Sequence, residues 1–151
     1  DHIIPHVVPG ATTADIDKMV EDFVLSHGAV PATVGYRGYA HSSCISVNHV
    51  VCHGIPSDKP LKDGDIANID ITVIVDGWHG DTSRMFLVGD VPLKARRLVD
   101  VTYECLMMGI EQAQLLAAVD SVEGVINVEH NALGHCGEAV AIQIDHRTTH
   151  A

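Results

Sequence analysis

Apolar residues recur at helical spacing near the start of the chain. Thr12 is followed three residues later by Asp15, a pattern typical of a capped helix start. Gly28 stands where a left-handed residue would close the helix. The spacing therefore predicts an amphipathic helix between Thr12 and Gly28, with one apolar stripe packed on a core. The stripe consists of Ile16, Met19, Val20, Phe23 and Val24.

The middle of the chain alternates between apolar and polar residues, which predicts strands. Residues 44–51 alternate enough for one strand. Two longer runs, over residues 65–75 and 78–88, flank the pair Asp76-Gly77. Because an Asp-Gly pair between alternating runs is the strongest short hairpin signal, these runs are predicted to pair as an antiparallel hairpin.

The rest of the chain continues the mixed pattern. A second helix is predicted over about residues 94–118, where apolar side chains lie nearly in line. Residues 122–130 and 139–146 resemble two short strands around a turn at residues 134–137. The members of the helical line are Leu98, Val101, Cys105, Met108, Gln112 and Leu116. The predicted fold class is therefore α/β, of the α+β kind.

Composition indicates one globular domain of 151 residues, since 46% of them are apolar and 19% charged. The formal charge of −11 argues against a nucleic-acid partner, and no apolar run approaches the roughly 20 residues of a membrane span. The four cysteines are scattered and no signal peptide opens the chain, so a reducing cytoplasm is expected. Eleven histidines and the excess of acids are compatible with a divalent metal.

The predicted hairpin brings two acids close together. A two-residue turn at Asp76-Gly77 places Thr72 opposite Asp81 and places Asp70 on the same face, diagonal to Asp81. Diagonal neighbours lie roughly 7–8 Å apart, so the two carboxylates could share one cation. The alternative, that both acids simply face water, stays equally open on spacing alone. The other face is a predicted core face: Ala67, Ile69, Ile71, Val73 and Val75.

A second candidate for chemistry is His53, which lies between a strand end and a turn containing Gly54 and Pro56. Such a histidine has a defined direction and could donate a hydrogen bond to a substrate, or it could be an ordinary turn residue. Cys44 and Cys52 are expected to be small buried hydrophobes, because no nearby basic residue would activate a thiolate. The sequence contains no nucleophile elbow, P-loop or dinucleotide fingerprint.

Three ordered segments closely resemble type I methionine aminopeptidases: NHVVCHGIP at 48–56, GDIANID at 64–70 and GDTSRMF at 80–86. The segments PGATT at 9–13 and GYRGY at 35–39 fit the same family. The resemblance covers residues 1 to about 114 and implies the first half of a pita-bread fold, with the metal ligands on its antiparallel hairpin. Residues 115–151 depart from the family pattern and form a separate tail in this interpretation.

The resemblance also implies the residues of the site. Asp70 and Asp81 would be ligands of two divalent ions (Co, Mn, Fe or Zn), with Asp81 bridging them, and His53 would contact the substrate. The family takes one further His and two Glu from its second half. The residues implied to line the methionine pocket are Tyr36, Tyr39 and Cys44. Asn68 and Thr72 would orient the ligands. The ligand-capable residues of the tail are Glu129, His135, Glu138 and His146.

Methionine aminopeptidases remove the initiator methionine from peptides and nascent proteins when the next residue is small. The resemblance implies this metal-dependent hydrolysis, with activity of this chain depending on the missing ligands. Two alternatives remain at this point: a non-catalytic module of the same fold that binds a peptide or protein, and a relative of the proline-specific peptidases. The context of His53, CHGIP, is closer to the methionine enzymes.

Overall fold

The computed structural model describes residues 1–120, 126–131 and 139–144, with side chains through residue 112. Within these residues, two α-helices and six strands follow one another. The helices are α1 (Thr13–Ser26) and α2 (Leu93–Asp120). The strands are β1 (Val30–Pro31), β2 (Cys44–Val47), β3 (Ile66–Val75), β4 (Trp78–Leu87), β5 (Ile126–Asn131) and β6 (Ala139–Ile144). The architecture is a mixed α/β fold with an antiparallel sheet, as predicted.

All strands belong to one sheet in the order β1-β3-β4-β6-β5, and β2 pairs with the same edge of β3 as β1 does. The long hairpin β3–β4 forms the centre of the sheet. Its bounds agree with the predicted runs to within one residue, because Asp76 and Gly77 both adopt the positive φ that a type I′ turn requires.

Helix α1 begins as its sequence predicts. The Thr12 side chain accepts a hydrogen bond from the Asp15 amide at 3.0 Å, and Gly28 adopts a φ of +75° after the last turn. Ile16, Val20 and Val24 of the predicted stripe are buried against β1, β2 and one face of β3, and Met19 packs on them. The prediction was wrong for Phe23, which is 40% exposed because its ring lies against His2 and His27 at the surface. Deeply buried members of this core include Ile16, Val20, Ile45, Ala67 and Ile69. The opposite face of β3 is therefore the face that points away from α1.

Three predictions about local structure need correction. Strand β2 ends at Val47 and not at residue 51, because Asn48 turns into a positive φ of 55° and its side chain bonds to Asp65 and to the Ile66 amide. Val75 is exposed and does not belong to the core, since it lies at the turn end of the hairpin, beside Asp76. Cys52 is exposed, and Cys44 is only partly buried.

The second helix is present but its apolar line faces outward. Leu98 and Met108 are 61% and 60% exposed, and Cys105 is exposed too. The predicted tail strands occur as β5 and β6, while their intervening turn lies outside the described residues. Within the described residues, neither helix combines the length and the apolar character that crossing a membrane requires.

We expect Leu98→Ala to change the free energy of unfolding by less than about 0.5 kcal/mol, because an exposed side chain loses little burial when shortened. Urea denaturation measures this value. Val20→Ala on α1 is the comparison, since that side chain is buried and its truncation leaves a cavity. An equal cost at both positions would show that the outer face of α2 is covered in solution.

Candidate metal centre

The hairpin places Asp70 and Asp81 on one face of the sheet. Thr72 pairs with Asp81, and Asp70 pairs with Ser83, so the two acids are diagonal neighbours in the predicted register. This face points away from α1, because Ile69 and Ile71 on the alternate positions pack on the core. Asp70 is partly buried and Asp81 is exposed. The register therefore brings the two carboxyl groups together at the edge of solvent.

Electrostatics agree with this proximity. Burial raises the pKa of the Asp70 carboxyl, and the charge of Asp81 and a hydrogen bond to the Asp81 side chain raise it further. The electrostatic interaction with His53 partly offsets the rise in this pKa. Two like charges that share a partly desolvated site repel each other, and a divalent cation would relieve that repulsion. The three predicted site residues are thus neighbours in the structure.

The donor set fits a divalent ion in part. Two carboxylates are suitable hard ligands for divalent ions. Among the described residues, however, no group of three His, Cys, Asp or Glu side chains comes close enough to hold an ion. Glu129 lies in β5 but its side chain is outside the described part, and His135, Glu138 and His146 lie outside it altogether. Residues 1–112 therefore bring together two carboxylates, which is fewer than the ligand set that the resemblance implies.

The two predicted orienting residues have different contacts. The Thr72 hydroxyl donates a hydrogen bond to Asp81 Oδ1 at 3.0 Å, which restrains the direction of that carboxylate. The side-chain amide of Asn68 instead donates to the Ser83 hydroxyl at 2.8 Å. Because Ser83 stands directly opposite Asp70, Asn68 borders the acid pair without contacting either carboxylate.

His53 is held by the glycine that follows it. The Ile45 amide donates to the Gly54 carbonyl at 2.8 Å, and the Gly54 amide donates to Ser46 Oγ at 3.0 Å. Gly54 is buried against β2, whereas His53 is exposed with a positive φ of 54°. The sequence analysis did not predict that Gly54 packs on β2 and thereby holds His53. The signal that could have indicated it is a glycine directly after a candidate histidine.

Of the predicted pocket residues, Cys44 lies beside Asp70 and Tyr39 lies beside Cys44. Cys44 pairs directly with Asp70 across β2 and β3, so its side chain is on the same face. The Tyr39 hydroxyl donates to the Ser43 carbonyl at 2.8 Å. Burial raises the pKa of Tyr39, and a hydrogen bond to Cys44 raises it further. Tyr36 is 65% exposed, with the Arg37 guanidinium 5.5 Å from its ring centre.

We expect Asp70→Asn to stabilise the metal-free chain at pH 7. The folded chain holds the Asp70 proton more tightly than the unfolded chain does, because the folded pKa is raised above the ordinary value of 3.8. Stability is therefore lost as the pH rises above 3.8, and an amide avoids this loss. Thermal melting at pH 7 and near pH 4 measures the difference, which should shrink at the lower pH.

Asp58→Asn is the matched control for this prediction, since Asp58 is an exposed carboxylate outside the hairpin. Its melting temperature should follow that of the wild type at both values of pH. A less stable Asp70→Asn protein at pH 7 would contradict the inferred repulsion between Asp70 and Asp81.

Comparison with known proteins gives a match to metallopeptidase family M24 over residues 1–148. The chain belongs to this family. It is 58% identical to methionine aminopeptidase of Rickettsia prowazekii over 111 residues, which are 74% of this chain and 43% of that protein. It is 44% identical to methionine aminopeptidase A of Synechocystis over 135 residues, which are 89% of this chain and 53% of that protein.

The fold agrees with this membership. The crystal structure of methionine aminopeptidase from Rickettsia prowazekii matches with a TM-score of 0.71 and 49% identity, over 85% of this chain and 46% of that one. The pita-bread fold is thus confirmed for this M24 chain. The chain spans about half the length of the curated relatives that it matches. The division at residue 114 stays a prediction, since the family match continues to residue 148.

Proposed function

We propose that this chain contributes Asp70 and Asp81 to a divalent-metal centre that removes the N-terminal methionine from peptides and nascent proteins. The observation that carries the proposal is the convergence of these carboxylates on one face of β3–β4, where the charge of Asp81 raises the pKa of Asp70. The similarity to methionine aminopeptidases supports the substrate class. Because nascent chains are the substrate, the expected place of action is the cytoplasm.

Each residue has a definite part in this proposal. Asp70 and Asp81 would hold two divalent ions, of Co, Mn, Fe or Zn. Thr72 keeps the Asp81 carboxylate turned toward the site through its 3.0 Å hydrogen bond. The ions, when bound, polarise the amide carbonyl and lower the pKa of water. His53 is exposed beside Asp70 and donates a hydrogen bond to the substrate near the amide to be cleaved.

The first side chain of the substrate lies against Tyr36, Tyr39 and Cys44 in this proposal. Cys44 is the link between pocket and metal, because it stands across from Asp70 in the sheet. A thiol and two aromatic rings offer an apolar, polarisable wall, which suits the thioether of methionine.

The remaining ligands must come from beyond the described side chains. Two carboxylates alone hold divalent ions weakly, because the ions keep most of their coordinated water. The chain's own candidates are Glu129, His135, Glu138 and His146. A chain that binds metal without releasing methionine would support the non-catalytic peptide-binding alternative.

The test is release of methionine from a Met-Gly-x peptide with added cobalt or manganese. The full chain is compared with the double variant Asp70→Ala, Asp81→Ala. We expect metal-dependent release by the wild type only, since the variant lacks both carboxylates. The control is Asp58→Ala, Asp100→Ala, which removes two exposed acids outside the site and should retain release. Equal release by wild type and site variant would reject catalysis at this pair.

A further inference from the structure

A buried carboxylate on α1 has no part in the metal centre. Asp17 lies among the core-facing residues of the helix and is only 8% exposed, although it carries a charge. Its Oδ1 accepts hydrogen bonds from the Ser42 amide at 3.0 Å and from the Ser43 amide at 2.8 Å. The Ser43 hydroxyl donates to the same oxygen at 2.7 Å, and His41 Nδ1 lies 3.1 Å from Oδ2. Four partners thus compensate the cost of burying this charge.

The segment that Asp17 holds leads directly into the candidate pocket. Ser43 is fully buried and precedes Cys44, the first residue of β2. The Ser43 carbonyl also accepts the hydroxyl of Tyr39 at 2.8 Å. One carboxylate therefore restrains two of the predicted pocket side chains: Cys44 through the backbone and Tyr39 through the Ser43 carbonyl.

The loop before β2 has little regular structure of its own that could restrain Cys44 and Tyr39. Residues 32–43 contain one short turn of 3-10 helix, at Tyr36–Gly38, with Arg37 inside it at a positive φ of 50°. A second tie is the Thr33 hydroxyl, which donates to the His41 carbonyl at 2.8 Å. Apolar packing could hold α1 on the sheet without a charge. One carboxylate oxygen that accepts from two consecutive amides sets the direction of that backbone, and hence of the residues that follow.

We propose that Asp17 is a positioning residue that sets the selectivity for the substrate's first side chain by holding Tyr39 and Cys44 against the metal pair. This inference rests on the proposed function, because it takes these residues as the wall of the methionine pocket. Asp17 touches neither substrate nor metal in this scheme. It acts through Ser42 and Ser43, 25 and 26 residues further along the chain.

The first measurement is the rate at which N-ethylmaleimide alkylates Cys44 in the metal-free full chain, resolved from the other cysteines by peptide mass spectrometry. Asp17→Leu removes every acceptor and should raise the Cys44 rate about tenfold, because the 42–43 segment opens locally. Asp17→Asn keeps one acceptor oxygen and should rescue most of the effect. Exposed Cys52 in the same sample should react at an unchanged rate.

Two further variants separate positioning from general stability. Val20→Ala shortens a buried residue of the same helix that has no bond to the 42–43 segment, and it should leave the Cys44 rate unchanged. Ser43→Ala removes only the hydroxyl that bonds to Asp17, so it should give a smaller rise and serves if Asp17→Leu does not fold. An unchanged Cys44 rate in Asp17→Leu or in Ser43→Ala, or an equal rise in Val20→Ala, overturns the positioning role.

The second measurement tests selectivity by asking whether methioninol protects Cys44 from alkylation. Alaninol is the comparison compound, and calorimetry measures the cobalt affinity of the same proteins. In the wild type, methioninol should slow alkylation and alaninol should not. Asp17→Leu should lose this protection while its cobalt affinity stays within about threefold, because Asp70 and Asp81 are untouched. Protection that persists in Asp17→Leu overturns the selectivity role alone. A wild type that binds no cobalt and shows no protection overturns the proposed function. The Cys44 alkylation rates of the first measurement would then still test whether Asp17 positions the 42–43 segment.

Discussion

We expect Gly54→Ala to lower the free energy of unfolding by about 3 kcal/mol or more, since it forces a methyl group into a space that backbone atoms already occupy. A Cβ at this position would overlap the Ile45 carbonyl oxygen and would stand 2.8 Å from the Ser46 Cα. Neither atom belongs to a flexible side chain that could move away. The turn at residues 53–54 must therefore separate from β2, with loss of the hydrogen bonds that Gly54 makes to Ile45 and Ser46.

The same substitution should move His53 away from Asp70. Urea denaturation measures the loss of stability, and the control is Gly109→Ala on α2. That glycine has open space around it, so alanine should raise the stability by up to about 1 kcal/mol through its helix propensity. A Gly54→Ala protein as stable as the wild type would show that residues 53–54 do not pack on β2 in solution, and the position of His53 would then need another explanation.

A divalent ion should stabilise the folded chain, and this effect should depend on both acids. Cobalt or manganese at 100 times its dissociation constant adds about 2.7 kcal/mol to the free energy of unfolding if the ion binds only the folded state. Asp70→Ala, Asp81→Ala should abolish the corresponding rise in melting temperature, because no described residue replaces the lost carboxylates. Each single variant should retain a weaker effect, since one carboxylate and coordinated water remain.

Calorimetric titration and thermal melting with and without the ion check this prediction on the same samples. Thr72→Val is an informative companion, because it removes the hydroxyl that restrains Asp81 while both ligands remain. Removal of such an orienting contact typically weakens metal binding about 10- to 100-fold. The metal-centre assignment is wrong if the double variant gains as much stability from cobalt as the wild type does.

The sequence by itself was enough to place the acid pair, because the relevant information is local. Asp76-Gly77 defines a two-residue turn, and a two-residue turn leaves one register for β3 and β4. Alternation along β3 then assigns Asp70 and Thr72 to one face and Ile69 to the other. The capped start of α1 was predictable for the same reason, since the Thr12 and Asp15 partners are three residues apart. The resemblance in three short segments identified the family that the comparison confirmed.

Only the tertiary structure decided how the distant segments support this face. Gly54 indicates in sequence a turn after His53 but not which strand that turn packs on, and Asp17 has the same appearance in sequence as an exposed helical acid. The early end of β2 depends on Asn48 reaching Asp65, 17 residues away. The apolar spacing of α2 predicted a buried stripe, yet no pattern within a helix states whether another element covers it, and Leu98 is exposed. Periodicity specifies which residues share a face, whereas burial depends on what the rest of the chain places against that face.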